Sequence, residues 1–443
     1  MPIEVCCIGG FSKTEGNSVA IKIDDQVIIL DMGLSMDNYV KYQEDFEDVS
    51  TKTYATLLKA EAVPDYNSIR DWKDQVIGII PSHGHLDHVG AIPFAATMFP
   101  EVPIISTPYT IEVLKTILQD ERIELNNKLI TIGLNGTYQI SDKIKVEFVH
   151  VTHSIPHTAI LVLHTKYGKI MYANDFKLDD QPVLGSKPNY KRISELGNEG
   201  IKLLIMNCLY AHEKKKCPSE SVARRMLKEV MLGTSSKGKV MVVTTFSSHI
   251  ARLKSIIELG KKLNRKIVFL GRSLDKYIAA AERISLVNFT TQIVIEKYSD
   301  KIIRKLQQIQ RAGRDKYLIV CTGHQGEPRA VLSKIVRGEL PFSFEDGDIV
   351  VFSCAVIPVE VNIRNREKLE QALVKSNVRI FKDVHVSGHG ALEDHRELLD
   401  MVKPENIIPV HAGPEKAQII KELAAKMGYK NTFVMEDGKR LIL

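Results

Sequence analysis

PSHGHLDHVG, residues 81–90, follows directly on the apolar run VIGII at 76–80. Three histidines and an aspartate fall within six positions, in the order His83, His85, Asp87, His88. Histidine and carboxylate are the usual ligands of hydrolytic zinc sites. On an extended segment, side chains two residues apart point the same way, so His83 and His85 are placed to grip one ion. Asp87 and His88 lie beyond the turn, within reach of a second. Two metals about 3.5–4 Å apart can clamp a phosphodiester for in-line attack. A lone histidine more often caps a turn or fills a polar pocket. Four ligand-type residues in this spacing, straight after a buried strand, point instead to metal.

Two ions need more ligands than this segment holds. His153 stands in VTHSIPHT at a strand end, Asp175 closes KIMYAND, His411 closes IIPVH and Asp31 closes VIILD. Each is a polar residue at the C-terminal edge of an apolar run, where open α/β sheets place their sites. A carboxylate at Asp175 could bridge both ions. Alternation puts His150 and His164 inside strands, where a structural role is expected. His157 and His385 carry no comparable signal.

The rest of the chain frames this cluster. Up to about residue 210, short apolar runs such as EVCCIGG, SVAIKI, QVIILDMG, TAILVLHT and KLLIMNCLY read as strands separated by turns like EGN and KYGK. From about residue 213 strands and helices alternate: SVARRMLKEVML, KVMVVTTF, SHIARLKSIIELGKKLN, KIVFLG, SLDKYIAAAERI, YLIVCTG. Such alternation predicts a parallel sheet with crossover helices. After DIVVFSCAVI the chain returns to isolated elements, among them RIFKDVHVSG, EDHRELLDMV and NIIPVHAG. The architecture predicted is one α/β domain interrupted by a second.

With 443 residues there is room for two domains. A hydrophobic content of 44% and a charged content of 26% are those of an ordinary globular protein. No apolar run has the length of a membrane span, and MPIEVCCIGGF does not read as a signal peptide. The six cysteines are scattered without a C-x-x-C pair, which predicts buried thiols in a reducing, cytoplasmic setting rather than disulfides. Lys plus Arg is 60 against 54 for Asp plus Glu, a net charge of +6. The excess gathers in residues 212–272 and in KIIRKLQQIQRAGRDK at 301–316. A basic middle third suits a polyanion, although solvated helix faces give the same composition.

HGHLDH, with Asp31, His153 and Asp175, resembles the metallo-β-lactamase fold. TTFSSHIARL (244–253), GRS (271–273), TGHQGEP (322–328), HVSGHGALEDHR (385–396) and IIPVHAG (407–413) resemble the β-CASP nucleases, most closely the ribonuclease J family of the short archaeal type. The resemblance covers nearly the whole chain. It implies an α/β metallo-β-lactamase fold, an αββα sandwich, over residues 1–212 and 358–443. A β-CASP α/β domain with a parallel sheet would interrupt it over 213–357. It implies two zinc ions, with manganese also compatible with the donor set. His83, His85 and His153 would hold one, Asp87, His88 and His411 the other, and Asp175 would bridge. Asp31 would orient the ligands. His389 would be the catalytic histidine near the scissile phosphate, helping to stabilise or protonate the departing oxygen. Ser248, Ser387 and Gly388, with His389, would receive a 5′-monophosphate. Gly323 and Gly326 let the backbone approach RNA or pack tightly, or else simply form a strand-to-helix turn.

Three positions depart from the family pattern. Asn207 stands where Asp or Glu is expected, His324 replaces Ser and His157 replaces Asp. Asparagine at 207 keeps the shape of a carboxylate and its hydrogen bonding but cannot buffer a proton.

The function expected is a zinc-dependent ribonuclease acting on single-stranded RNA. It would work 5′ to 3′ from 5′-monophosphate ends, release nucleoside 5′-monophosphates and act as a homodimer away from membranes. A chain starting in its first strand, with no RNA-binding module before it, favours an exonuclease over a tethered processing endonuclease. Two other readings are an RNA-binding family member with weak or lost catalysis, motivated by Asn207, and an endonuclease. A small-molecule hydrolase on the same fold has no use for the basic insertion.

Overall fold

Strands Ile3–Gly9, Ser18–Ile23 and Gln26–Leu30 send successive side chains to opposite faces. Cys6, Ile8, Ala20, Val27 and Ile29 enter one core, while Val5, Cys7, Val19, Ile21, Ile28 and Leu30 enter another. A sheet covered on both faces needs apolar residues at every position, which is why these runs do not alternate with polar ones. The computed structural model describes residues 3–45, 52–357 and 359–443. It divides into two units: Met1–Leu178 with Lys187–Cys217 and Gly388–Leu443, and Asp179–Ser186 with Pro218–Ser387.

The first unit holds two sheets. One runs in the order Arg440–Ile442, Ile3–Gly9, Ser18–Ile23, Gln26–Leu30, Val76–Ile80, Ile104–Ser106, Leu129–Thr131. The other runs Ile407–Val410, Ile201–Asn207, Gly168–Ala173, Ala159–Thr165, Lys145–His150, Thr137–Gln139. Their inner faces share a core in which Val19, Ile28, Leu30 and Ile80 meet Phe148, Leu161, Tyr172, Ile205 and Val410. The outer face of the first sheet is covered by Trp72, Phe94 and Leu114. The outer face of the second is covered by helices Tyr190–Asn198, Leu392–Val402 and Pro414–Lys426, through Leu196, Leu399 and Ile420. This is the αββα sandwich that the sequence predicts. His164 takes the structural role expected of it, its Nε2 lying 2.8 Å from Glu147, which Arg192 also binds. All six cysteines are buried and unbridged. Among the described residues no helix is long and apolar enough to cross a membrane.

The second unit carries a six-stranded sheet, parallel throughout, in the order Val294–Glu296, Lys266–Leu270, Tyr317–Cys321, Met241–Thr244, Ile349–Phe352, Arg379–Phe381. The predicted boundaries shift here. The expected return to the first domain at residue 358 comes 30 residues early, since the first unit resumes at Gly388. Helix Glu360–Lys375 crosses over to Arg379–Phe381, which pairs with Ile349–Phe352. Leu369 and Leu373 of that helix join the core around Val350 and Phe352. A three-residue strand among polar neighbours has too little periodicity to announce itself. Gly323 and Gly326 turn out to be packing glycines with φ of +121° and +76°. A Cβ on either would come within 2.8 Å of Leu332 or 2.5 Å of the Asn365 backbone.

Arg252, in the stretch SSHIARL, is fully buried in this unit. Its guanidinium donates to both Glu220 oxygens at 2.5 and 2.8 Å, to Ser353 O and Oγ at 2.8 Å each, and to Val384 O at 3.3 Å. Burial works to raise the Glu220 carboxyl, but His249 and Arg252 outweigh it and hold the group below the usual carboxylate range. Arg252→Met strips that buried carboxylate of its guanidinium and leaves only His249, at 3.4 Å, beside it. It should cost about 3–5 kcal/mol, read as a lowered midpoint in denaturant unfolding.

Candidate metal centre

Strand register assembles the cluster. Parallel pairing sets Leu30 beside Ile80, so Asp31 leaves its strand next to the turn carrying Ser82 and His83. In the second sheet Ala173 lies beside Met206, and Asn207 beside Val410. Asp175, Asn207 and His411 therefore leave the same edge of neighbouring strands. His153 arrives on the connection between Lys145–His150 and Ala159–Thr165. Asp31 and His411 adopt left-handed φ of +59° and +71°, which turns each chain sharply at the end of its strand.

Among the described residues three overlapping groups of ligand-type atoms result, each within 4.8 Å of one another: His83, His85, His153 and Asp175; Asp87, His88 and His411; and Asp175, His389 and His411. Asp175 joins them. Its Oδ2 lies 3.3 Å from His83 Nε2, 3.2 Å from His153 Nε2 and 3.5 Å from His88 Nε2, while Oδ1 lies 3.5 Å from His411 Nε2. His85 Nδ1 is 3.1 Å from His83 Nε2 and 3.0 Å from His153 Nε2. All seven residues expected from the sequence as metal ligands are thus brought together.

The far nitrogens of several rings are already engaged. His83 Nδ1 meets Ser82 Oγ at 3.0 Å, and His88 Nδ1 meets Asp31 Oδ2 at 2.7 Å. His153 Nδ1 donates to Gly388 O at 2.6 Å, and His411 Nδ1 to Asn17 Oδ1 at 3.0 Å. These bonds turn the Nε2 lone pairs toward the centre, as a metal requires. Asp31 is itself fixed by the Ser82 backbone N–H at 2.6 Å, Ser82 Oγ–H at 3.0 Å and Tyr172 O–H at 2.8 Å. Gly388 can serve His153 because it has no side chain, since a Cβ there would lie 2.6 Å from that of Ser154.

The electrostatics suit a cation. Burial pushes His83 down to about 4 and also lowers His85 and His411, so these rings are neutral ligands at pH 7. Burial opposes ionisation of Asp87 and Asp175, but the surrounding histidines outweigh it and hold both below the usual range. Burial lowers His88 as well, yet Asp87, Asp175 and Asp31 prevail and raise it. Asp175 Oδ2 is buried with no hydrogen-bond partner. An ionised, orphaned oxygen among inward-facing imidazole nitrogens is costly unless a cation replaces the missing donors. The donor set therefore fits divalent metal.

His389 and Asn207 complete the site. His389 Nδ1 lies 3.6 Å from Asp175 Oδ1 and 3.4 Å from Asn207 Nδ2, and burial pushes its pKa well down. The Leu209 backbone N–H donates to Asn207 Oδ1 at 2.8 Å, which turns the Asn207 amide N–H groups toward Asp175 Oδ1 at 2.9 Å. The neutral side chain thus does one thing a carboxylate could not: it donates to Asp175. Ser248 and Ser387 belong to the second unit, and Gly388 and His389 to the first. His157 is in none of these groups, and His385 belongs to the second unit, its Nδ1 3.4 Å from Arg252.

Asn17 was not anticipated from the sequence. It is fully buried, accepts from His411, and donates through Nδ2 to Asp87 O at 3.2 Å. The only signal was an asparagine inside the EGN turn before a buried strand, a place where asparagine is common for conformational reasons alone. Asn17→Ala should weaken metal affinity about 10–100-fold, measured by competition with a chromophoric chelator.

Three family models match the chain: the metallo-β-lactamase superfamily over residues 13–269, the ribonuclease J β-CASP domain over 237–367, and the Zn-dependent metallo-hydrolase RNA specificity domain over 374–435. Ribonuclease J of Methanocaldococcus jannaschii is 39% identical over 431 residues, covering 97% of this chain and 96% of the relative. Ribonuclease J of Pyrococcus abyssi is 38% identical, covering 98% and 96%. Ribonuclease J 1 of Streptococcus pyogenes is 30% identical, covering 100% of this chain and 74% of its own length. A crystal structure of a protein of unknown function from Enterococcus faecalis superposes with a TM-score of 0.69 at 16% identity over the full length of both chains, a likeness of fold.

Proposed function

Because the chain belongs to the ribonuclease J family of the metallo-β-lactamase superfamily, and is thereby a metal-dependent ribonuclease, we propose that it is a 5′-3′ exonuclease. It acts on single-stranded RNA with a 5′-monophosphate, releases nucleoside 5′-monophosphates, and works in the cytoplasm as a homodimer. Two zinc ions are the proposed cofactors, and manganese fits the same ligands. His83, His85 and His153 would hold one, Asp87, His88 and His411 the other, with Asp175 between them. When bound, such a pair supplies an activated nucleophile and neutralises charge on the phosphodiester.

The observation carrying this reading is the orphaned Asp175 Oδ2, ringed at 3.2–3.5 Å by histidine nitrogens. The chain's own groups do the positioning. Asp31 holds His88, Gly388 O holds His153, and Asn17 holds His411. His389, beside Asp175, is the group proposed to steady or protonate the departing oxygen. Ser248 and Ser387 are proposed contacts of the 5′-phosphate, together with Gly388 and His389, on the strength of the family motifs they occupy.

The test uses one RNA bearing a 5′-monophosphate, a 5′-triphosphate or a 5′-hydroxyl, incubated with and without chelator. Mononucleotides from the monophosphate form, lost on chelation, are the expected result. A ladder of internal fragments from all three ends would replace the exonuclease with an endonuclease.

A further inference from the structure

We infer that the second unit carries its own contact surface for single-stranded RNA, a stripe running from Tyr298 along helix Ser299–Ala312. The inference rests on the ribonuclease reading and adds to it a place for the strand on the unit that does not carry the metal ligands. Ile302, Leu306 and Ile309 bury one face of the helix in the parallel-sheet domain. A flank of the helix beside that face presents Lys301, Arg304, Lys305 and Gln308, which line a hollow of about 320 Å³ together with Glu296. Tyr298, Lys301, Lys305 and Gln308 are three or four residues apart, so they lie on one side of the helix. At 1.5 Å per residue the stripe is about 15 Å long.

The composition of the stripe selects the partner. Within the helix Lys301, Arg304, Lys305 and Arg311 face a single acid, Asp300, which pairs with Arg304 at 2.5 Å between two well-exposed side chains. Such a pair contributes little and exchanges readily for a phosphate. Lys297 is held by Asp275 at 2.8 Å, and Glu296 is the one carboxylate in the hollow. At the head of the stripe Tyr298 is 53% exposed. The ammonium groups of Lys297 and Lys301 lie 5.6 and 5.9 Å from its ring centroid. An open aromatic face among cations is the combination that binds single strands, with bases stacking on the ring and phosphates on the basic side chains. A duplex would leave the ring unused, and an acidic protein would need no aromatic platform.

The experiment compares two variants with wild type, using the full chain with metal. Lys301→Glu/Arg304→Glu/Lys305→Glu reverses the charge of the stripe, and Tyr298→Leu removes the ring but keeps the charge. Affinity for a 30-nucleotide RNA and for a 4-nucleotide RNA is measured by fluorescence anisotropy, the former across a salt series, alongside cleavage of both. The charge reversal should weaken the long RNA at least about tenfold more than the short one and flatten the salt slope by about 2, as expected for three lost phosphate contacts. Tyr298→Leu should weaken the long RNA about fivefold or more with the slope unchanged. Long-RNA affinity and slope equal to wild type in both variants, with melting temperatures preserved, would overturn the inference and leave the stripe to an acidic protein partner. A wild-type chain that cleaves neither RNA defeats the ribonuclease reading itself, a result distinct from failure of the stripe alone.

Discussion

Asp175→Asn should abolish RNA hydrolysis, with a fall on the order of 10³-fold or more, because losing even one preorganised charge-stabilising group costs about 10²–10³. The substitution is nearly isosteric. The remaining oxygen still accepts from Asn207 Nδ2, now 2.9 Å from Oδ1, so the fold should persist. What disappears is the negative charge shared by His83, His88, His153 and His411. Metal content should drop by at least one equivalent per chain, read by elemental analysis beside a thermal melt. Full activity in a variant shown to be metal-poor would remove Asp175 from the mechanism.

His389→Ala should reduce the rate about 10²–10⁴-fold, the range of a general acid or base, with metal content and RNA affinity kept. The separation matters because His389 also lies within ligand distance of Asp175 and His411, all three offering atoms within 4.8 Å. A slow variant that retains its metal makes His389 a group acting on substrate. A slow variant that has lost an equivalent makes it a ligand.

The cluster was legible in the sequence because its signals are local. HGHLDH is a contiguous motif, and Asp31, Asp175 and His411 each end an apolar run. In a sheet, a polar residue at that position has little to do except face the edge. What could not be read were the long-range partners. Asn17 serves His411 across 394 positions, and Gly388 serves His153 across 235. No periodicity encodes such bonds. Asn207 shows a third case. Its departure from the family pattern was visible, but its donation to Asp175 depends on the Leu209 N–H that orients the amide. The fold was read well where strands were long and buried. The place of Arg379–Phe381 in the second unit's sheet is not legible in the sequence, because the strand is short and half-exposed and is fixed by pairing with Ile349–Phe352. Helix Ser299–Ala312 registered as charge rather than structure, although Ile302, Leu306 and Ile309 carry its buried face.

The measurement closest to the central claim is a metal titration of the stripped protein, with bound ions per chain and RNA hydrolysis followed in the same samples. Activity should be absent in the stripped chain and return as two equivalents bind, with Asp175→Asn failing to take up the full complement. Hydrolysis that survives complete removal of metal, or that is fully restored before any ion binds at the histidine cluster, would contradict that claim.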